Sequence, residues 1–165
     1  MAHITRYPGL SHLRSDATVH VQHWSNGHPR HAGRGLAFWF RPRAAALAEV
    51  PLDDREQTVL VHARTVDFQD VTVQATVTYR VTDPVLAATR IDFDIAPETG
   101  QWRSEPLEVL GGLLAELVQQ PVLEHLAARA MADALAQGVG PVRDRVAAVL
   151  ADDARLAERG LAMTD

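Results

Sequence analysis

The segment Val71–Pro84 reads VTVQATVTYRVTDP. Up to Thr82, apolar residues at the odd-numbered positions alternate with polar residues at the even-numbered ones. A period of two that is kept over twelve residues is typical of a long antiparallel β-strand with one buried face. Asp83 and Pro84 are the residue types favoured at the N-cap and at the first position of a helix. The segment therefore predicts a long strand that leads directly into a helix.

Upstream of this segment the sequence also favours strands. Alternating patterns predict strands over Thr18–Trp24 and Gln57–Thr65, and Ala44–Leu52 is predicted to be a short strand. Asn26-Gly27 predicts a tight hairpin turn, since both residues tolerate positive φ. Residues 1–16 have no sustained period and are predicted to be a flexible N-terminal lead-in, which leaves 17–165 as the folded domain.

Downstream the pattern changes to a helical period. Leu107, Leu110, Leu114 and Leu117 form one apolar stripe on a helix that starts near Ser104 or Glu105. Pro121 is expected to interrupt that helix. A second helix is predicted from Val122 to Ala134, a third from Pro141, and the start of a strand at Leu161–Met163. Because strands and helices are segregated along the chain, the predicted fold class is α+β, an antiparallel β-sheet with helices packed on it.

Composition narrows the function classes. The 165 residues include no cysteine and no lysine. The missing cysteines exclude disulfides, thiolate metal sites and cysteine nucleophiles, and the missing lysines exclude Schiff-base chemistry and a P-loop. The longest apolar runs are about five residues, whereas a membrane-spanning helix needs about 20. No cofactor is expected.

The charge is distributed unevenly. Residues 1–43 hold six arginines and one acidic residue, whereas 44–165 hold ten arginines and twenty acidic residues. A basic segment attached to an acidic body favours anionic partners such as lipid head groups. The acidic body should repel nucleic acid.

Six of the eight histidines also lie in residues 1–43, among them His20, His23, His28 and His31. Residues three apart on a strand point to opposite faces, so His20 and His23 are not expected to share a metal, while His28 and His31 could approach each other. No acidic residue stands nearby to orient a ligand. We therefore predict no metal site and no catalytic residues, and a His-dependent metal enzyme remains as an alternative.

The run Leu36–Phe40 is more informative about function than the histidines, because three of its five residues are aromatic and arginines flank it on both sides. Aromatic rings at the level of the lipid head groups, with arginine on phosphate, are typical of an interfacial membrane contact. Packing of at least Phe38 on the sheet is the competing interpretation. The hypothetical contact residues are Leu36, Phe38, Trp39, Phe40, Arg34, Arg41 and Arg43.

Five segments in order resemble the SPFH superfamily, the band-7 domain of stomatin, prohibitin, flotillin and HflK/HflC. They are Val19–Gly27, Gly33-x-Gly35-Leu36 with its aromatic run, Val50-Pro51-Leu52, Thr65-x-Asp67 and Val71–Pro84. The motif residues given a structural role are Gly33, Gly35, Pro42, Pro51, Thr65, Asp67, Tyr79, Arg80, Asp83 and Pro84.

The resemblance implies a non-enzymatic scaffold on the cytoplasmic, inner face of a membrane, which oligomerises and organises lipids or membrane proteins. The implied partners are an anionic membrane surface, other subunits and membrane proteases, without nucleic acid. Family members usually carry an N-terminal membrane segment and continue into a coiled coil, and these 165 residues contain neither. A soluble protein-interaction domain without a membrane role is therefore the first alternative.

Overall fold

The computed structural model describes residues 2–164, which form two compact units. The first unit comprises residues 2–54, 80–106 and 158–161, and the second comprises 55–79, 107–157 and 162–164. Antiparallel sheets and helices make up both, which confirms the α+β class, although the strands form three sheets rather than one. The strands are β1 (His3–Tyr7), β2 (Leu10–Arg14), β3 (Val19–Ser25), β4 (His28–Arg34), β5 (Ala37–Phe40), β6 (Ala45–Pro51), β7 (Arg55–Arg64), β8 (Asp70–Val81), β9 (Asp94–Ile95) and β10 (Leu161–Met163). The helices are α1 (Pro84–Arg90), α2 (Pro106–Ala127), α3 (Met131–Gln137), α4 (Gly140–Asp152), α5 (Ala154–Ala157) and a short 3-10 helix (Pro42–Ala44).

The first unit is built from two sheets that face each other. One has the order β1-β2-β5 and the other β4-β3-β6-β9. Leu13 and Phe38 of the first sheet and Val21 and Leu47 of the second are buried in one apolar cluster. On the far side of the second sheet, the Gln22 amide donates to the Pro84 carbonyl of α1, 3.3 Å away. The first unit is therefore layered as sheet, sheet and helix.

The N-terminal residues belong to this core, so the prediction of a loose lead-in is wrong for residues 3–14. The strands β1 and β2 form a hairpin around Pro8-Gly9, where Gly9 has a φ of 79°. The backbone N–H of Ala2 donates to the carboxylate of the buried Glu49. Because the start of the chain is tied to β6 in this way, the hairpin is ordered although its sequence has little apolar alternation.

In the second unit, β8 pairs with β7 on one side and β10 on the other. The β7–β8 register runs from Arg55 opposite Tyr79 to Arg64 opposite Asp70, and Val77 and Tyr79 are buried as the alternation predicts.

The predicted interruption of α2 at Pro121 is wrong, because α2 continues through it. The neighbours Val118 and Val122 are completely buried. Burial of two valines contributes about 1.5–3 kcal/mol each, which offsets the roughly 3 kcal/mol that an internal proline costs.

The tip of the β7–β8 hairpin ends α2 and starts α3. Thr65 donates its hydroxyl proton to the Asp67 carboxylate (2.5 Å), and the same carboxylate accepts the backbone N–H of Met131 at 3.1 Å. The backbone N–H of Val66 donates to the carbonyl of Arg129. The helix predicted from Val122 to Ala134 is therefore two helices, since Asp67 takes over the N–H that a continuous helix would bond internally.

The strand-to-helix junction has the predicted capping geometry. Asp83 is the N-cap of α1, and its carboxylate accepts the backbone N–H groups of Val85 (3.1 Å) and Leu86 (2.9 Å). The carbonyl of Gly160 accepts the N–H groups of both Thr82 (2.8 Å) and Asp83 (3.1 Å). Gly160 has a φ of 67°, and a Cβ there would lie 2.5 Å from the Asp83 carbonyl oxygen. Both the conformation and the space therefore require glycine.

We expect Gly160→Ala to lower the free energy of unfolding by about 2–5 kcal/mol, through left-handed strain plus overpacking. The control is Gly27→Ala, because Gly27 in the β3–β4 turn has a φ of 78° with nothing within 4 Å of an added Cβ. Only the conformational penalty applies there, about 1–2 kcal/mol. Urea unfolding of both variants measures the difference, and equal losses would contradict the close approach to Asp83.

The Asp67 carboxyl should contribute to stability in a pH-dependent way. The Thr65 hydroxyl, followed by the Met131 N–H, lowers the pKa of Asp67. A carboxyl whose pKa is depressed on folding stabilises the protein above its unfolded pKa of about 3.9, and this stabilisation is lost as the pH falls through the folded pKa. Asp67→Asn keeps an acceptor oxygen but does not titrate. The melting temperature of the variant should therefore fall less than that of the wild type between about pH 5 and 3; parallel curves would refute this role.

Candidate functional site

The side of the β1-β2-β5 sheet that faces away from the core is the candidate site, and we call it the outer face. Phe38 and Phe40 are 7% and 4% exposed, so their side chains point into the core. Side chains alternate along a strand, and Ala37 and Trp39 therefore point outward. The strand register extends this face to β1 and β2. Its residues are His3, Thr5, Tyr7, Leu10, His12, Arg14, Ala37 and Trp39, with Arg41 following directly after β5.

An exposed apolar group stands at the centre of the outer face. Trp39 is 55% exposed, and its ring centroid lies 5.0 Å from that of Tyr7 and 4.9 Å from that of His12. Tyr7 and Leu10 are exposed next to each other across the β1–β2 pair. Large apolar side chains that cluster on a surface instead of lying singly mark a contact region for a partner or a membrane.

The outer face is also basic. Arg14 and Arg41 are exposed, and among residues 2–164 neither forms an ion pair with a carboxylate. The one acidic residue of residues 1–43, Asp16, lies in the turn before β3 and not in the sheet. The positive charge of the outer face therefore has no internal partner within the described chain.

The structure divides the predicted membrane-contact residues. Trp39, Arg41 and Arg43 are exposed, and Arg43 lies in the 3-10 helix. Phe38 and Phe40 do not belong to the exposed surface, because strand alternation turns them into the core.

Two further predicted residues also lie elsewhere. Leu36 packs against the core cluster, and Arg34 lies on β4 in the second sheet. Sequence reasoning missed Tyr7, Leu10 and His12, although the turn-forming pair Pro8-Gly9 is a signal for the hairpin that carries them.

A pair of histidines lies behind Phe38. The Nδ1 atoms of His23 and His31 are 3.0 Å apart, and the ring planes differ by 6°. Planes this parallel with nitrogens this close place the two rings edge to edge. Phe38 stacks on both, with centroid distances of 4.8 Å to His23 and 4.3 Å to His31. His28 and His31 could have approached each other, but the hairpin register places them opposite different residues, with His31 opposite His23 and His28 opposite Ser25.

The pair favours one arrangement of protons. His23 is 4% exposed, and its buried Nε2 has no hydrogen-bond partner within residues 2–164. A neutral His23 that donates from Nδ1 leaves only a lone pair at Nε2, which costs less than a buried N–H without a partner. Burial, then the charges of His31 and Arg30, lower the pKa of His23. The buried imidazole is therefore held neutral over a wider pH range than a free histidine.

The described chain contains no group of three or more His, Asp or Glu side chains with the geometry to hold a metal ion. Asp67 and Asp70 are close in the chain but bind different groups. Asp67 accepts hydrogen bonds from Thr65 and Met131, whereas Asp70 makes an ion pair with Arg64 at 2.9 Å. The site thus consists of an aromatic and basic surface backed by the His23–His31 pair.

Comparison with known families identifies the chain. The sequence model of the SPFH domain / Band 7 family matches residues 17–164. The chain belongs to the SPFH/Band 7 family. This family comprises membrane-associated scaffolds that are generally non-enzymatic. No curated protein matches the chain.

The structure gives the positions of three residues from the motifs that resemble the SPFH family, Gly35, Pro51 and Arg80. Gly35 takes a φ of 59° between β4 and β5, and Pro51 ends β6. Arg80 makes an ion pair with Asp54 at 2.7 Å. Among residues 2–164, the helices of this SPFH chain lack the length or apolar character needed to cross a bilayer.

The pKa of His23 should respond to Arg30. Arg30→Gln removes a positive charge that opposes protonation and should raise the pKa of His23, while burial still holds it below the usual value of about 6.5. Arg34→Gln is the matched control, because Arg34 lowers the pKa of His20 rather than that of His23. NMR titration of the imidazole Cε1 protons measures both. A response of His23 to Arg34→Gln alone would contradict the assignment.

Proposed function

We propose that this SPFH domain is a non-enzymatic scaffold unit that binds peripherally to an anionic membrane through its outer face and assembles with further copies. The observation that supports this most is the exposed group of Trp39, Tyr7 and Leu10, next to Arg14 and Arg41, which have no carboxylate partner in the described chain. Tryptophan and tyrosine favour the head-group region of a bilayer, and arginine binds lipid phosphate.

The expected affinity of one copy is low. A juxtamembrane basic residue contributes about 1 kcal/mol on an anionic leaflet, and three exposed apolar side chains insert only a small area. Binding by a single domain is therefore reversible and sensitive to salt. Assembly of several copies raises the effective concentration of each contact, so the oligomer binds stably where the single domain does not.

The charge distribution supports the same orientation. The cytoplasmic leaflet carries the more negative surface potential and attracts the basic segment, which favours the inner face of the membrane. The acidic residues 44–165 are repelled from the anionic membrane surface. They are therefore available to contact other subunits and membrane proteins such as proteases. In the second unit, Leu60, Leu135 and Val139 are exposed apolar residues available for such contacts.

Vesicle co-sedimentation tests the membrane contact. The wild type should sediment with vesicles that contain phosphatidylglycerol and remain free with neutral phosphatidylcholine vesicles. Trp39→Ala combined with Arg41→Ala should weaken binding by about tenfold or more, because it removes the central ring and one phosphate ligand.

The control is Val109→Ala combined with Arg143→Ala, which removes an exposed apolar residue and an exposed arginine from the second unit. This variant should bind as the wild type does. Equal recovery with neutral and anionic vesicles, or equal losses in the two double variants, would reject the outer face and favour an interaction domain without a membrane role.

A further inference from the structure

A cleft of about 370 Å³ adjoins the outer face at the turn between β3 and β4. Its polar lining includes Ser25 at the end of β3, Asn26 of the turn, Arg30 and His31 of β4, and Arg41 after β5, and Trp39 forms part of its wall. Small-ligand pockets have volumes of about 300–1,000 Å³, so this cleft is suited to a small group.

The lining of the cleft is basic, and no acidic side chain of the lining balances its positive charge. Neither Arg30 nor Arg41 has a carboxylate within ion-pair distance in the described part of the chain, and none of the lining residues is acidic. The backbone N–H of Gly35 donates to the Asp16 carbonyl, which places the only acidic residue of residues 1–43 at the opposite end of β4. Two arginines that line one space without a carboxylate partner in the described chain favour an anion as the occupant.

The other lining groups are also suited to an anion. The Asn26 amide and the Ser25 hydroxyl supply further hydrogen-bond donors, and guanidinium groups match phosphate oxygens in geometry. His23 and His31, whose Nδ1 atoms are 3.0 Å apart, also line the cleft. Burial is the main cause of the lowered pKa of His23, and the charges of His31 and Arg30 lower it further.

We propose that this cleft binds a dianionic phosphate group between Arg30 and Arg41, either as free phosphate or as the phosphate monoester of a lipid head group. The lipid form rests on the proposed membrane contact, because the cleft opens beside Trp39, whereas the free form does not depend on it. A monoester offers three terminal oxygens and two negative charges to two arginines, while the diester of most phospholipids offers two oxygens and one charge.

The first experiment uses the full chain and inorganic phosphate. Phosphate is titrated at pH 7 and constant ionic strength against chloride, and NMR follows the Nε–H signals of Arg30 and Arg41 and the imidazole signals of His23. Saturable shifts are expected, with the affinity about tenfold lower in Arg30→Gln and in Arg41→Gln. Arg34→Gln changes the same charge at the other end of β4 and should bind as the wild type does. Shifts that do not saturate, or equal losses in all three variants, would overturn the cleft as a phosphate site.

The second experiment separates the two sources of phosphate. Vesicles with phosphatidic acid, a monoester, are compared with phosphatidylglycerol vesicles of equal surface potential. Preference for phosphatidic acid that disappears in Arg30→Gln supports the lipid form, and equal binding to both rejects it in favour of free phosphate. Two results together would overturn the cleft proposal: the protein binds both kinds of vesicle equally, and phosphate causes no saturable NMR shift. The proposed membrane contact would be unaffected by that outcome. Phosphate binding without any vesicle binding overturns the membrane contact alone.

Discussion

Phe38 is the residue through which the first unit is organised. Its ring lies flat against the edge-to-edge rings of His23 and His31 and so joins the β1-β2-β5 sheet to the sheet that faces it. Stacked aromatic pairs contribute about 0.5–1.5 kcal/mol beyond the area they bury. Since a strand alternates its side chains, fixing Phe38 inward also fixes Trp39 outward. The core contact and the exposed surface are therefore two consequences of one residue's orientation.

The sequence predicts well where one local pattern is sufficient. The alternation of Val71–Val81 defines β8, Asp83-Pro84 defines the start of α1, and Asn26-Gly27 defines the β3–β4 turn. Each is specified by residues that are neighbours in the chain. The family resemblance, which depends on the order of such patterns, is likewise confirmed by the match to the SPFH domain model.

Long-range contacts explain the failures. The β1–β2 hairpin depends on Ala2 reaching Glu49, and the end of α2 depends on Asp67 reaching Met131. Neither partner can be found from local periodicity, because 47 and 64 residues separate the members of the two pairs. The outer face was accordingly predicted only in its Trp39 part, and its Tyr7 and Leu10 part follows from the hairpin. The His23–His31 pair escaped prediction for a different reason. Its members are close in the chain, but an irregularity in the register at His23 and Trp24 places His31, rather than Arg30, opposite His23.

The basic segment is thus spread over both sheets of the first unit rather than forming a separate arm. Arg14 and Arg41 belong to the β1-β2-β5 side, while Arg30 belongs to β4. Beyond β5 the outward positions pass from Trp39 to Arg41, two residues on. An aromatic ring that enters the head-group region would therefore bring a guanidinium to the depth of the lipid phosphates. The proposed membrane contact and the proposed phosphate cleft share Trp39 and Arg41 for this geometric reason, and Arg30 is the residue that distinguishes them.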